Sequence, residues 1–372
     1  MRLLLLGALV LLLPACNDTA AGADGGTGGG TATGGGATGG GTATGGGSTG
    51  GGNATGGGAT GGGTASSGGG VFLTSGPWNK DVSTLPVSAE SATIIGQLTS
   101  MGGWGSNTFR TDDSIHVLDA PAGTPRVTVV GASTYYLPDC EPMPSTMPLP
   151  TVGATEGETG YACTGGGDCH LLVLSGSENK LYELYQGNQL ANGTVETACL
   201  VVWDLTKHYP DTLRGEQCTS TDAAGLPVSA FMVNANEVFA GEVPHALRFI
   251  LPNARMQAGV YVHPATHAGG PSGPASAPPY GVRFRLKASF DETRLTAPGA
   301  RVIAKALKKY GMVLSDGGNI PVTIQSDRFT THKWSEVGIV DSTALSVLTP
   351  ADFEVVDLGT RIPLTYDCVR NP

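Results

Sequence analysis

The sixteen residues HLLVLSGSENKLYELY, from His170 to Tyr185, decide the fold class of this chain. Two short apolar segments, 171–174 and 181–185, flank a polar turn that contains Gly176 and Asn179, and this pattern predicts a β-hairpin. Segments of similar length and character recur at 126–130, 198–205, 260–263, 282–290 and 353–356. No regular alternation of strands and helices accompanies them, so we expect a mainly β protein, an antiparallel β-sandwich or jelly roll with one or two packed α-helices.

Two helices are predicted to pack on these strands. In residues 298–310, helical spacing places five apolar residues on one face, and Gly311 ends the run. The five are Val302, Ile303, Ala306, Leu307 and Tyr310. A second, shorter helix is expected within 236–249, starting at Asn234 or Asn236.

Glycine is distributed very unevenly, because 27 of the 58 glycines lie in residues 21–70. Three copies of an eleven-residue unit, TATGGGATGGG, TATGGGSTGGG and NATGGGATGGG, fill residues 31–63. Such a chain has too little apolar surface to offset the entropy lost on ordering, so residues 16–70 are predicted to be a disordered tether. Residues 71–372 are expected to form one β-rich globular domain, with a separate small domain over 71–161 as the alternative.

The N-terminus has the features of an export signal. Met1 and Arg2 precede an apolar run at 3–13, which is too short to span a bilayer. The run ends in Leu13-Pro14-Ala15-Cys16, which resembles the lipobox of bacterial lipoproteins. That resemblance implies removal of residues 1–15, acylation of Cys16 and attachment to a membrane, with Asn17 favouring the outer membrane and the cell surface. A plain secretory signal with an incidental cysteine is the alternative.

Charge and cysteine content narrow the classes of protein. The formal net charge is −10, so no excess of basic residues is present to neutralise phosphates, and nucleic-acid binding is excluded. Six cysteines remain after Cys16, and in an exported chain this even number predicts up to three disulfides. Cys163 and Cys169 flank a short Gly-rich loop and are the first pair we expect. A metal cluster is disfavoured because the chain has no CxxC motif.

Signatures of common enzyme classes are missing. The chain contains no GxSxG, HExxH, GxGxxG or Walker motif, which disfavours serine esterases, zincins and nucleotide-dependent enzymes. His263 and His267 have i,i+4 spacing, but Pro264 argues against the helix that would align the two rings on a zinc ion. We therefore expect neither a metal nor a cofactor.

Carboxylates near aromatic side chains offer the remaining route to catalysis. Glu183 shares a strand face with Tyr185, Asp204 follows Trp203, and Asp222 lies in a turn rich in hydroxyl groups. Glycoside hydrolysis needs two carboxyl groups about 5 to 10 Å apart, and aromatic rings can stack against sugars. The apolar bulk beside Asp204 is expected to raise its pKa. For each of these acids, a role as a cap, turn or ion-pair residue is the alternative.

One predicted strand carries a row of cations. In 282–290, Arg283, Arg285 and Lys287 share one face, opposite an apolar face. This row is interpreted either as a solvated outer face or as a surface for an anionic or hydroxyl-rich ligand. With His245 and His267, Arg283 is a candidate sugar-binding residue.

Several motifs together resemble a large group of exported actinobacterial and myxobacterial proteins. They lie within residues 169–356 and include Trp203-Asp204-Leu205, Ser220-Thr221-Asp222-Ala223-Ala224-Gly225-Leu226-Pro227, His245-Ala246-Leu247-Arg248 and Tyr261-Val262-His263-Pro264-Ala265-Thr266-His267. Most members of the group have no characterised activity. With the N-terminal anchor, the resemblance implies a myxobacterial lipoprotein of the outer-membrane β-1,6-glucanase type that acts on fungal walls.

These observations predict a surface-anchored glycoside hydrolase that acts on a polymeric glucan, most specifically an endo-β-1,6-glucanase. Glu183 and Asp222 are the expected acid and its partner, and Asp204 is a second candidate. One alternative is a polysaccharide lyase that uses the row of cations to neutralise a uronate. The other is a carbohydrate-binding or adhesion lipoprotein without catalysis.

Overall fold

The computed structural model describes residues 71, 72 and 74–371 of the chain. The predicted signal peptide, Cys16 and the repeated tether lie outside the described residues. Contacts group the described residues into one unit. None of the helices in this part of the chain is long and apolar enough to cross a membrane.

Sixteen strands and three α-helices are present in the described residues. The strands are β1 (Thr111–Ile115), β2 (Val117–Asp119), β3 (Arg126–Gly131), β4 (Ser145–Pro148), β5 (Leu171–Ser175), β6 (Lys180–Tyr185), β7 (Asn188–Gln189), β8 (Val195–Thr197), β9 (Cys199–Asp204), β10 (Leu247–Leu251), β11 (Val260–Tyr261), β12 (Arg283–Leu286), β13 (Met312–Gly317), β14 (Val322–Gln325), β15 (Phe353–Val356) and β16 (Ile362–Pro363). The helices are α1 (Ser91–Ser100), α2 (Ala235–Ala240) and α3 (Pro298–Lys309).

The strands form four sheets, and the predicted mainly β sandwich with few helices is confirmed. The largest sheet has the order β1-β14-β10-β13-β12-β15, the second β2-β5-β6-β9 and the third β4-β3-β8-β7, while β11 pairs with β16. Four strand pairs are parallel: β1 with β14, β10 with β13, β2 with β5 and β3 with β8. Each of these parallel pairs joins segments that are far apart in the sequence, which local patterns do not reveal.

The predicted hairpin is confirmed as β5 and β6. Leu172 pairs with Glu183 and Leu174 with Leu181, and Asn179 takes a positive φ of 50° in the turn. On its other side β6 pairs with β9, so that β6 is an interior strand. Four consecutive residues of β6 are buried, which places Glu183 inside the protein instead of on a sheet surface.

Strand β12 corrects the expectation of a ligand-facing row of cations. All four of its residues are buried between β13 and β15. Arg283 donates to the carbonyl oxygens of Pro77 at 2.7 Å and Tyr310 at 2.8 Å. Arg285 donates to Glu354 at 2.7 Å and to the carbonyl of Val82. Residues 77–85, which we call the N-terminal segment of the described chain, therefore cover this face and supply acceptors for both guanidinium groups. The alternation of residues in β12 alone could not indicate this cover.

Both predicted helices are present, with shorter bounds for the second. Helix α2 begins after Asn234, whose side chain accepts from the Glu237 N–H at 3.0 Å, while Glu237 accepts from the Asn234 N–H at 3.1 Å. Helix α3 is followed by Gly311 at a φ of +71°, and a Cβ there would lie 2.6 Å from the Phe284 carbonyl oxygen. Helix α1 was not predicted, because Ile94 and Leu98 are its only buried large apolar residues.

The six cysteines of the described residues form three disulfides. Cys163 pairs with Cys169, as predicted. The other two pairs, Cys140–Cys199 and Cys218–Cys368, span 59 and 150 residues and could not be chosen from spacing alone. The first fixes a loop to β9, and the second fixes the C-terminal segment to the loop that precedes Asp222.

Candidate functional site

Glu183 is a buried anchor for the neighbouring loop. Its side chain is 0% exposed and accepts five hydrogen bonds. The donors are Trp203 Nε1 at 2.9 Å, Thr221 Oγ1 at 3.3 Å, Val228 N at 3.2 Å, Ser229 N at 2.8 Å and Ser229 Oγ at 2.9 Å. A carboxyl group enclosed in this way cannot reach a polymer, which corrects the prediction that Glu183 is a catalytic acid.

The aromatic side chains expected to stack on sugars do not form an open platform. Trp203 is fully buried and donates its indole N–H to Glu183. Tyr185 is half-buried, and its ring centroid lies 5.8 Å from that of His170. The sugar-stacking role is therefore corrected for Trp203, because its ring belongs to the core.

Asp204 stabilises an exposed turn. Its carboxylate accepts from the Thr206 N–H at 2.9 Å and the Thr206 hydroxyl at 2.6 Å. The hydrogen bond from the Thr206 hydroxyl, followed by that from the backbone, lowers the pKa of Asp204. The predicted rise in its pKa is therefore wrong, because its side chain faces solvent.

The two candidate sugar-binding histidines have different surroundings. His245 is buried, with Nδ1 2.8 Å from the Ala246 carbonyl oxygen and Nε2 3.3 Å from Glu237. It therefore stabilises α2 and does not face a ligand, which corrects its predicted role. His267 is partly exposed and bonds the Ala223 carbonyl oxygen at 3.0 Å, so it lies beside the loop that carries Asp222. Burial lowers the pKa of His267 and keeps its ring neutral.

Asp222 belongs to a charged group that we call the aspartate–arginine site, made of Asp222, Arg248 and Asp316. Arg248 Nη2 donates to Asp222 Oδ2 at 2.8 Å and to Asp316 Oδ2 at 3.5 Å. The side chains of Asp222 and Arg248 are 0% and 5% exposed, whereas that of Asp316 is 26% exposed. Asp316 is thus the member of the site that solvent reaches.

Three adjacent strands of the largest sheet hold this site in place. Arg248 lies on β10, between β13 and β14. Its Nε donates to Ser315 Oγ at 3.2 Å and its Nη1 to Thr323 Oγ1 at 3.0 Å. Asp316 follows Ser315 at the C-terminal end of β13. The loop with Asp222 joins from outside the sheet, where the Ala224 N–H donates to the Ser315 carbonyl oxygen at 3.0 Å.

The charges of the site favour one bound proton. Burial raises the pKa of Asp222, and Arg248 opposes this rise. Burial, followed by repulsion from Asp222, raises the pKa of Asp316 to about 7. Two carboxyl groups share one guanidinium, so one proton makes the buried group neutral overall. Asp316 lies farther from Arg248, and its pKa of about 7 makes it the carboxyl group that binds this proton as the pH falls through neutrality.

A histidine–carboxylate pair supports the same loop from the second sheet. His170 Nδ1 lies 2.6 Å from Glu156 Oε2, and His170 Nε2 lies 2.9 Å from the Thr221 carbonyl oxygen. Because both partners are acceptors, both ring nitrogens donate and the ring is cationic. Burial opposes this charge, but Glu156 outweighs it and raises the pKa of His170 to about 9. Burial likewise opposes ionisation of Glu156, but His170 lowers the pKa of Glu156 to about 2.

Asp168 brings a second exposed carboxylate to the site. It ends the loop closed by the Cys163–Cys169 disulfide, and its carbonyl oxygen accepts from the Gln186 N–H at 2.9 Å. Repulsion from Asp168 contributes to the raised pKa of Asp316, and attraction to Asp168 contributes to that of His170. The exposed Asp168 is thus within electrostatic range of the partly exposed Asp316.

Two groups of potential metal ligands lie close together in the described residues, but neither can bind a metal through its cysteines. One such group joins Asp139 to Cys218 and Cys368, and the other joins Glu158 to Cys163 and Cys169. All four cysteines are in disulfides, so their sulfurs cannot act as thiolate ligands. His263 and His267 do not form a metal pair either, because His263 bonds Glu216 at 2.7 Å whereas His267 bonds a backbone oxygen.

Sequence reasoning identified Asp222 but missed Asp168, Arg248 and Asp316. A signal was present for Asp316, since an acidic residue between an apolar strand and the pair Gly317-Gly318 is typical of a functional strand end. Asp168 lies in the Gly-rich loop whose disulfide was predicted.

Comparisons of the chain with protein-family models, with curated proteins and with solved structures find no match.

Proposed function

We propose that the protein is a surface-anchored glycoside hydrolase that acts on a polymeric glucan, with β-1,6-linked fungal wall glucan as the specific substrate. The observation that carries this proposal is a pair of carboxyl groups that solvent reaches, Asp168 and Asp316, one of which has a raised pKa. Asp316 has a pKa of about 7 and is partly open to solvent, and the exposed Asp168 contributes to that raised pKa by repulsion. Glycoside hydrolysis requires such a pair, one member as acid and the other as base or nucleophile.

In the proposed reaction, Asp316 protonates the oxygen of the leaving sugar as the glycosidic bond breaks. Asp168 then activates water or attacks the anomeric carbon, and Asp316 returns as a base if a covalent intermediate forms. Asp222 is a positioning residue, because its fully buried carboxylate holds Arg248. Arg248 in turn lies 3.5 Å from Asp316 and stabilises the carboxylate that Asp316 becomes after donating its proton.

An open site supports a polymeric substrate. Asp168 is exposed, and the side chain of Asp316 is 26% exposed. A long chain can lie across a surface site that has no closed pocket, and the predicted tether behind Cys16 would let such a domain reach an insoluble wall. The polysaccharide-lyase alternative is weaker, because Arg283 and Arg285 are buried and cannot neutralise a uronate.

Release of reducing sugar by the purified full chain tests the proposal, with pustulan, laminarin, chitin and alginate as substrates. We expect release from pustulan, and expect Asp316→Asn and Asp168→Asn to reduce the rate at least about 100-fold each. Asp204→Asn is the matched control, since it changes an exposed aspartate that only caps a turn. If none of the four polymers is cleaved, the hydrolase proposal fails and a binding or adhesion role takes its place. An active Asp316→Asn variant would reject the assigned acid.

A further inference from the structure

A basic cavity lies away from the aspartate–arginine site, between α3, β12 and the N-terminal segment. Its volume is about 450 Å³. The polar residues that line it are Asp81, Ser83, Arg285, Lys305, Lys308 and Lys309. The chain has a net charge of −10, so a cavity lined by four cations and one acid differs strongly in charge from the rest of the protein.

Helix α3 brings the three lysines together. Residues three and four positions apart share a helix face, so Lys305 is a neighbour of both Lys308 and Lys309. Lys308 and Lys309 are in the last turn, where the helix dipole favours cations. Lys305 lies a turn earlier and is repelled by both, so the lysines carry a cost in stability that the dipole does not explain.

The ammonium groups of Lys305 and Lys309 have N–H donors that no ion pair of the described residues uses. Within the described part of the chain, Lys305 makes no hydrogen bond or ion pair, and Lys309 Nζ lies 4.9 Å from the centre of the Tyr310 ring. Lys308 contacts Glu292 at 3.0 Å and the Phe290 carbonyl oxygen at 2.9 Å. Lys305 and Lys309 can therefore bind a ligand without breaking an ion pair of the fold.

The other two charges of the cavity are committed to the fold. Arg285 uses its guanidinium on Glu354 and on backbone carbonyls. Asp81 accepts from the N–H and hydroxyl of Ser83, and the hydroxyl bond chiefly lowers its pKa. Lys308 is paired with Glu292 and Arg285 with Glu354, so Lys305 and Lys309 are the two cations of the cavity that no ion pair of the described residues occupies.

We propose that this cavity binds a phosphate group carried by a saccharide or by a lipid headgroup. A phosphate monoester is close to doubly negative at neutral pH, which matches the two positive charges. Lysine binds phosphate as a point charge, whereas the planar fork of arginine, which suits bidentate recognition, is already occupied here. The volume exceeds that of a phosphate ion and accommodates an attached sugar ring or glycerol.

This site is separate from the proposed catalytic one. Lys309 precedes β13 and Asp316 lies near its other end, so the length of the strand, roughly 15–20 Å, lies between them. Loss of phosphate binding and loss of hydrolysis can therefore be measured independently.

Titration calorimetry of the full chain with glucose 6-phosphate and with inorganic phosphate tests the proposal, alongside co-sedimentation with vesicles of phosphatidylglycerol or phosphatidylcholine. The test variant is Lys305→Gln, whose exposed side chain has no partner to lose, and the matched control is Lys180→Gln at the exposed start of β6. We expect binding that weakens about tenfold in Lys305→Gln and not in the control, because one charge-assisted hydrogen bond is lost. Added salt should weaken it as well.

Comparison of the saccharide and lipid probes distinguishes the two sources of phosphate. Binding of glucose 6-phosphate that depends on Lys305 identifies a saccharide phosphate, whereas Lys305-dependent binding of phosphatidylglycerol vesicles alone identifies a lipid headgroup. Absence of binding to every probe overturns the proposal. Binding that is equal in Lys305→Gln and the unsubstituted chain overturns it too.

Discussion

Replacing Glu183 by glutamine separates a structural role from a catalytic one. The two carboxyl oxygens accept five hydrogen bonds: Oε2 from Trp203, Thr221 and Val228, and Oε1 from the N–H and hydroxyl of Ser229. A glutamine amide has one acceptor oxygen, so its NH₂ group must face at least two buried donors, whichever way the amide turns.

The expected loss of stability follows from those two donors. A buried donor left without an acceptor costs about 1–3 kcal/mol, so Glu183→Gln should lower the free energy of unfolding by about 4 kcal/mol. At about 2–4 °C for each kcal/mol in a domain of this size, the melting temperature should fall by roughly 10 °C. Activity for each folded molecule should change little, because the side chain does not reach solvent.

Urea titration followed by circular dichroism measures the free energy, and reducing-sugar release below the transition measures the activity. Glu196→Gln is the control, because within the described residues this glutamate on β8 makes no hydrogen bond or ion pair through its side chain. That control should change stability by about 0.5 kcal/mol or less. A Glu183→Gln variant with unchanged stability and abolished activity would refute the structural reading and restore Glu183 as a catalytic residue.

Three further predictions concern the charges and the loop of the site. Reducing-sugar release should fall as pH rises through about 7, because Asp316 must be protonated to act as an acid; a rate that does not change across this range contradicts that role. The ion pair of His170 and Glu156 should contribute about 3 kcal/mol of stability, fully present between the ordinary pKa values of about 4.3 and 6.5. It is lost as pH rises through about 9 or falls through about 2, so the urea midpoints of His170→Gln and the unsubstituted chain should converge at either extreme. Replacing Cys163 and Cys169 together by serine should cost about 2 kcal/mol, since the loop is short, and should reduce the activity by loosening the adjacent carboxylate; an unchanged rate would exclude that loop from catalysis.

Local patterns in the sequence predicted the local parts of the fold. The β5–β6 hairpin, helix α3 and the asparagine that begins α2 each depend on residues within a dozen positions, and periodicity and capping rules act on that scale. The parallel pairing of β10 with β13 depends on segments about sixty residues apart, which no local pattern encodes. The burial of Arg283 could not be predicted for the same reason, because its guanidinium is covered by Pro77, which lies about 200 residues away in the sequence.

The candidate site was predicted only in part for a related reason. Glu183, Asp204 and Asp222 were chosen because aromatic or hydroxyl side chains lie near them in the sequence, but their carboxylates accept hydrogen bonds from other groups. Trp203 donates to Glu183, Thr206 donates to Asp204, and Arg248 donates to Asp222. A polar neighbour in the sequence predicts satisfaction of a carboxylate as readily as it predicts catalysis. Asp168 follows three glycines and Asp316 precedes two, and neither has an aromatic neighbour that would have drawn attention to it in the sequence.

Two of the three residues first selected for catalysis, Glu183 and Asp222, instead help to join two sheets. Glu183 lies in the second sheet and binds Thr221, and the next residue, Asp222, binds Arg248 in the largest sheet. Asp168 lies three residues before β5 of the second sheet, and Asp316 is the last residue but one of β13 in the largest sheet. These buried contacts connect the two sheets that carry the proposed catalytic groups, so substitutions of Glu183 or Thr221 should alter the rate of hydrolysis only as far as they shift one sheet against the other.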